Sequence, residues 1–187
     1  MPVNRLLHAR QAMAGLGLRL ATGEDIAEAH ALAAHMVGPA IASLEVMLRV
    51  QAHTGCTCFA MRSAEGRLIG ALAVIPLSAR AGPSLARGDF DGLSPPDAML
   101  AGPGDAASAF YGWGMAGLTP RSRAAVVCGA MRLQREIYGD LPFYARAATS
   151  EGERVLHDRM GARAHVGGLV SAAPWRTDGA SALGKAA

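Results

Sequence analysis

Lysine is almost absent from this chain, and no dense run of basic residues interrupts its 187 positions. A polybasic strip that tracks a nucleic-acid backbone is therefore missing. The formal net charge of +3 and the basic pI allow an anionic ligand without requiring a nucleic acid. Aromatic residues are scarce at 5%, which leaves no stacking platform for bases, so nucleic acid is not an expected partner. Three cysteines exclude a disulfide framework. Cys56 and Cys58 form a C-x-C near His53, but no second Cys/His pair stands at zinc spacing. The expectation is no metal, and a strand carrying both thiols on one face. No apolar stretch reaches the roughly 18 residues of a membrane span. Gly15, Gly17 and Arg19 break the N-terminal apolar segment, which argues against a cleaved signal peptide. A cytoplasmic location with no membrane association is the expectation.

What the chain does have is small apolar residues. Half of it is hydrophobic, much of that alanine, which predicts a globular fold with closely packed elements rather than disorder. Alternation over residues 16–21 predicts a strand. Thr22 and Asp25 then cap a helix whose Ile26, Ala29, Ala33 and Met36 recur at helical spacing. Gly38 and Pro39 end it, and Pro39 opens a second helix with Ile41, Leu44, Met47 and Leu48 as its apolar stripe. Residues 57–62 and 68–76 read as a hairpin turning at Gly66. Residues 78–108, crowded with Gly, Pro and Asp, read as a long inserted loop with room for a short helix over 96–100. Asp91-Gly92 there reads as a turn.

The most informative stretch follows. A strand over 109–118 leads through a basic turn into a helix over 122–138. A strand over 141–147 and a helix starting at an S-x-x-E box (Ser150, Glu153) come next, and Gly161 ends that helix. One or two strands over 164–171 close the order, and residues 174–187 read as a disordered tail. Unpaired N–H groups at a helix start, with the helix dipole, hold anions, and Arg121 and Arg123 lie at this one. Ordinary solvation of both arginines is the competing account.

The order β-α-α-β-β, long loop, β-α-β-α-β resembles the GCN5-related N-acetyltransferase superfamily over residues 16–171. The family's Q/R-x-x-G-x-G/A turn falls on Arg121, Ser122, Arg123, Ala124, Ala125 and Val126. Arg121 keeps the first position, while Ala124 and Val126 stand in place of small or glycine residues. A second family pattern, N-x-x-A-x-x-L-Y-x-x-x-G-F, matches Leu156 and Gly161 in spacing. There His157 replaces Tyr, and Ala162 replaces Phe.

The resemblance implies an α/β (α+β) fold with a mixed, mostly antiparallel central sheet flanked by helices. A V-shaped splay lies between its fourth and fifth strands. It implies one acetyltransferase-like domain over 1–173 and an N-acyltransferase using acetyl-coenzyme A as co-substrate, with a primary amine attacking directly. Arg121, Ser122, Arg123, Ala124 and Ala125 would bind the diphosphate. Met115, Ala116 and Leu118 would offer backbone groups to the acyl chain.

His157 would be the catalytic acid for the departing thiolate, with plain solvation as the alternative. Ser150 reads as a helix cap rather than a ligand contact. Tyr111 and Trp113 would line the acceptor pocket, against a plain core role. Gly112, Gly114 and Gly117 mark a bulge in the fourth strand. No acidic residue on that strand offers a general base, and Asp89, Asp91, Asp97 and Asp105 lie in the loop before it. The alternative function is a catalytically degenerate domain of this fold that binds a ligand or protein. Oligomeric state stays open, a homodimer included.

Overall fold

The computed structural model describes residues 3–175, so the part of the expected tail beyond Trp175 lies outside the described residues. The chain builds one seven-stranded sheet in the order β1-β2-β3-β4-β5-β7-β6. Its strands are β1 (Arg19–Leu20), β2 (Cys58–Arg62), β3 (Leu68–Leu77), β4 (Ala109–Gly117), β5 (Phe143–Ala145), β6 (Arg163–Ala164) and β7 (Val170–Ala172). Every neighbouring pair is antiparallel except β4 and β5. That parallel pair needs a crossover, and helix α5 (Pro120–Arg132), continued by a π-helical turn over Leu133–Ile137, supplies it. The mixed, mostly antiparallel sheet flanked by helices is the architecture that the resemblance implies.

The splay is written into the register. Phe110, Tyr111 and Gly112 pair with Phe143, Tyr144 and Ala145, and there the β4–β5 ladder stops, although β4 runs on to Gly117. On its other edge β4 stays paired with β3 throughout, with a register shift where Ala73 faces Gly114 and Val74 faces Gly112. Trp113 is the extra residue of that bulge. A bulge bends its strand and increases the twist, here at the point where β4 leaves β5.

Helices cover both faces. Helix α1 (Val3–Ala14), α5 and α6 (Ser150–Asp158) join Phe59, Leu72, Val74 and Phe110 in one apolar cluster. On the other face α2 (Gly23–Val37) and α3 (Leu44–Thr54) pack against Cys58 and Ala60. A third cluster there unites Val50, Ile75 and Tyr111 with Leu85 and Phe90.

Several sequence expectations need correction. Helix α1 was not foreseen; it buries Ala9 and Met13 although its apolar part is short. The first strand is shorter than residues 16–21. Pro39 does not open α3, which starts five residues later, at Leu44, where the Ser43 hydroxyl caps it by accepting the Val46 N–H at 3.3 Å. The cap of α6 is Thr149, not Ser150: its hydroxyl accepts the Gly152 N–H at 3.0 Å. Cys56 and Cys58 face opposite sides, because β2 begins only at Cys58 and Cys56 turns into the α1 side. Burial pushes their thiols up to about 11 and about 12 respectively.

Residues 78–108 are more ordered than a plain loop. They hold a 3-10 turn (Ala79–Ala81), helix α4 (Gly82–Arg87) and a second 3-10 turn (Asp97–Met99). Gly88 ties this segment down. With φ +75 it lies so close to the turn at Val166 and Gly167 that a Cβ would sit 2.3 Å from the Val166 carbonyl oxygen. The Thr22/Asp25 capping box and the hairpin turning at Gly66 form as expected.

Candidate functional site

A cavity of about 650 Å³ opens where β4 and β5 part, within the usual size of small-molecule sites. Its β4 wall is Gly112, Trp113, Gly114, Met115 and Ala116. Opposite lie Ala145 to Thr149 and then Gly152, Leu156 and Met160, the inner stripe of α6 and its exit. Gly114 has open space where a Cβ would stand, whereas a Cβ on Gly112 would meet the Phe143 ring at 3.0 Å. The first glycine keeps the gap clear, and the second lets the paired part of the strands close tightly.

Backbone direction along β4 follows from one hydrogen bond. The Leu118 N–H donates to the Ile69 carbonyl at 2.9 Å. In an antiparallel ladder the paired groups alternate. Leu118, Ala116 and Gly114 therefore turn to β3, and Met115 turns its N–H and C=O into the gap beyond the end of the β4–β5 ladder. Of the three strand residues expected to offer backbone groups, Met115 has the right direction. Ala116 contributes only to the wall, and Leu118 lies outside it.

The helix start at α5 differs from an open anion turn. Thr119 caps it, with its hydroxyl accepting the Ser122 N–H at 3.1 Å, while the Ser122 hydroxyl accepts the Thr119 N–H at 3.0 Å. The Arg123 N–H bonds the Thr119 carbonyl at 2.9 Å, and Pro120 has none to give. Among the described residues this leaves the Arg121 N–H as the unspent donor of the first turn. The guanidinium groups of Arg121 and Arg123 are exposed and carry no partner among the described residues. Arg121, Arg123 and Ala124 thus form the exposed opening of α5, with Ser122 buried beneath them and Ala125 half-buried, and all five lie outside the cavity wall. Val126, in the position of a small family residue, is buried against β3 beside Gly70 and does not enter the turn.

His157 does not reach the cavity either. It lies one residue round the helix from Leu156, and its Nδ1–H donates to the Ala162 carbonyl at 2.8 Å. A ring nitrogen facing a carbonyl must carry the proton, so Nε2 of the neutral ring is an acceptor. It stands 3.9 Å from Glu153 Oε1. Donation from His157 would need the imidazolium and a path around α6.

The far end of the gap carries the polar groups. Tyr111 and Trp113, both expected at the acceptor pocket, line it together with Asp91, Gly92 and Arg146. The Trp113 indole N–H donates to the Gly92 carbonyl at 2.6 Å, and Asp91 Oδ1 accepts the Leu93 N–H at 2.8 Å. That is the turn expected at Asp91-Gly92. The Arg146 guanidinium donates to the Gly88 carbonyl at 3.3 Å and to the Gly167 carbonyl, closing the segment over the cavity end. Burial pushes the Tyr111 phenol above its usual range, with the Arg146 charge opposing, so it stays protonated at neutral pH. Arg146 was missed in the sequence. Its signal was an arginine in an apolar run, F-Y-A-R-A-A.

A third region of wall comes from α2 and the chain after it. Asp25 belongs to it but is fully buried and fully used. Its carboxylate accepts from the Thr22 N–H and hydroxyl, both at 2.8 Å, from Arg62 at 2.8 Å and from Arg19 at 3.0 Å. Burial alone would raise its pKa, but those donors together hold it below the usual carboxylate value. Among the described residues, no helix is long and apolar enough to cross a membrane, and no group of three or more His, Cys, Asp or Glu is placed to hold a metal.

No family model matches this chain, and no curated protein matches its sequence. Among solved structures the chain is similar to the GphF GNAT-like decarboxylase in complex with isobutyryl-CoA. The likeness has 21% identity and a TM-score of 0.48 and covers 80% of each chain.

Proposed function

We propose that this chain is an acyl-CoA-dependent N-acyltransferase, transferring acetyl from acetyl-coenzyme A to a primary amine. The observation that carries the reading is the gap itself. A bulged β4 leaves β5 after Gly112, Met115 turns its backbone groups into the opening, and the cavity runs through it. A thioester arm lying there would find an N–H and a C=O to hold it as a strand is held. The Arg121 and Arg123 guanidinium groups and the Arg121 N–H lie at the start of the helix that follows β4, suited to a diphosphate.

The amine nitrogen attacks the thioester carbonyl carbon, the C–S bond breaks as the amide forms, the amine's proton passes to water, and coenzyme A leaves as a thiolate that takes a proton from water. Orientation within the gap and a backbone donor on the thioester oxygen carry the rate. Tyr111, Trp113, Asp91 and Arg146 shape the acceptor end. His157 receives no step, since it lies outside the wall.

A second reading is a binding module of the same fold without turnover. The self-capped start of α5 favours it, because fewer N–H groups remain for phosphate than the family turn would offer. Thermal unfolding with acetyl-coenzyme A, followed by mass spectrometry of a panel of amines, separates the two. A raised Tm with acylated amine supports the enzyme, and a raised Tm without product supports the module. An unchanged Tm at millimolar acetyl-coenzyme A refutes both as far as the thioester is concerned.

A further inference from the structure

The cavity does not end at the acceptor pocket. It continues between α2 and the sheet, walled by Ile26, Ala29, Ala33, Met36, Ile41 and Met47. Ile26, Ala29, Ala33 and Met36 lie on one face of α2, the face that normally fills the space above a sheet with large side chains. Here two of its central residues are alanines, and the floor of β2 and β3 beneath them is small as well (Cys58, Ala60, Ala71 and Ala73), so the space stays open. Among the described residues of this arm Asp25 is the one carboxylate, its oxygens taken by Thr22, Arg19 and Arg62, and burial keeps the Cys58 thiol neutral. Nothing in the arm can recognise a charge, and a buried polar group without a partner would be penalised. The rim is apolar too: Met36, Val37 and Leu93 line the cavity while remaining 49%, 36% and 51% exposed. Exposed apolar residues at a cavity mouth mark a binding site for apolar matter.

We infer that the substrate carries an alkyl chain that lies in this arm, with its reacting end at Met115 in the gap. This deepens the acyltransferase reading and rests on it for the position of the thioester. The chain belongs either to the acyl group or to the amine acceptor; the arm's chemistry is the same for both, and each buried methylene tightens binding about fourfold.

The test is calorimetric titration of the whole chain with two series. One series is coenzyme A, acetyl-, hexanoyl- and decanoyl-coenzyme A. The other is butylamine and decylamine, each with and without coenzyme A present. Ala33→Phe fills the arm, and Met36→Trp narrows its exposed mouth as a second variant that does not touch the core. The expected result is affinity rising at least tenfold from the shortest to the longest member of one series, with the rise removed by both variants. A rise in the thioester series places the chain on the acyl group, and one in the amine series places it on the acceptor. Flat affinities in both series overturn the inference while leaving coenzyme A binding intact. If no coenzyme A compound binds but decylamine binds and is blocked by Ala33→Phe, the arm stands and the acyltransferase reading falls.

Discussion

Replacing Gly114 by leucine plugs the gap without straining the strand. Gly114 lies in the half of β4 that has left β5 while staying paired with β3, and nothing stands within 4 Å of where its Cβ would be. A Cβ there meets neither backbone nor core, and a leucine in a strand is at least as acceptable as a glycine. The unliganded protein should therefore keep its stability to within roughly 1 kcal/mol. Ligand binding has the opposite expectation, because the new side chain occupies the path a thioester arm needs. A ligand present at about a hundred times its Kd stabilises the folded state by roughly 2.7 kcal/mol. For a domain of this size that is a rise in Tm of roughly 5–10 °C. Scanning calorimetry with and without acetyl-coenzyme A should show that rise in the wild type and lose it in Gly114→Leu, with the unliganded Tm nearly unchanged. Gly112→Ala is the contrasting control, since its Cβ would press the Phe143 ring at 3.0 Å and lower the unliganded Tm. A full ligand-induced rise in Gly114→Leu would refute the assignment of the gap.

Four other outcomes are expected. Arg121→Ala with Arg123→Ala should leave unfolding by urea unchanged, since both side chains are exposed and unpaired among the described residues. It should weaken acetyl-coenzyme A binding by at least tenfold and flatten its salt dependence in titration calorimetry. Thr119→Ala removes the α5 cap and should lower stability by about 1 kcal/mol in the same denaturation assay. It frees the Ser122 N–H, so binding should not weaken. Gly88→Ala must distort the contact with the Val166 carbonyl at positive φ, and a fall in Tm with faster proteolysis near residue 90 would report it. Asp25, held below its unfolded pKa, adds stability that is complete above about pH 4 and fades as pH falls through its folded value. Asp25→Asn should therefore narrow the gap to wild type as unfolding is measured toward lower pH; a gap independent of pH would count against it.

The fold was legible where local chemistry and periodicity agree. Thr22 with Asp25, the hairpin turning at Gly66 and the glycines around Trp113 each specify one backbone arrangement, and each appears. Legibility failed where two residues competed for one role. Thr149 and Ser150 both suit a helix cap, as do Pro39 and Ser43 a helix start, and tertiary packing chose between them. The turn at Arg121 shows the same competition with a functional consequence. Read for charge, it is an anion site; read for Thr119 and Ser122, it is a capping box that consumes the donors an anion would want. A box of this kind is visible in T-P-R-S, and it lowers the number of backbone donors more surely than Ala124 or Val126 does.

Nothing local announced the arm under α2. Ile26, Ala29, Ala33 and Met36 read as an ordinary core stripe, because periodicity tells which face turns inward and not whether the partner face reaches it. Side-chain volume across two elements decides that. Here alanines on α2 oppose alanines on the sheet, so the inward face of a well-formed helix borders a cavity. An apolar stripe of small residues facing a sheet of small residues is thus a sequence pattern for an internal chamber, and in this chain it leads from the solvent-exposed rim at Met36 to the point where β4 parts from β5.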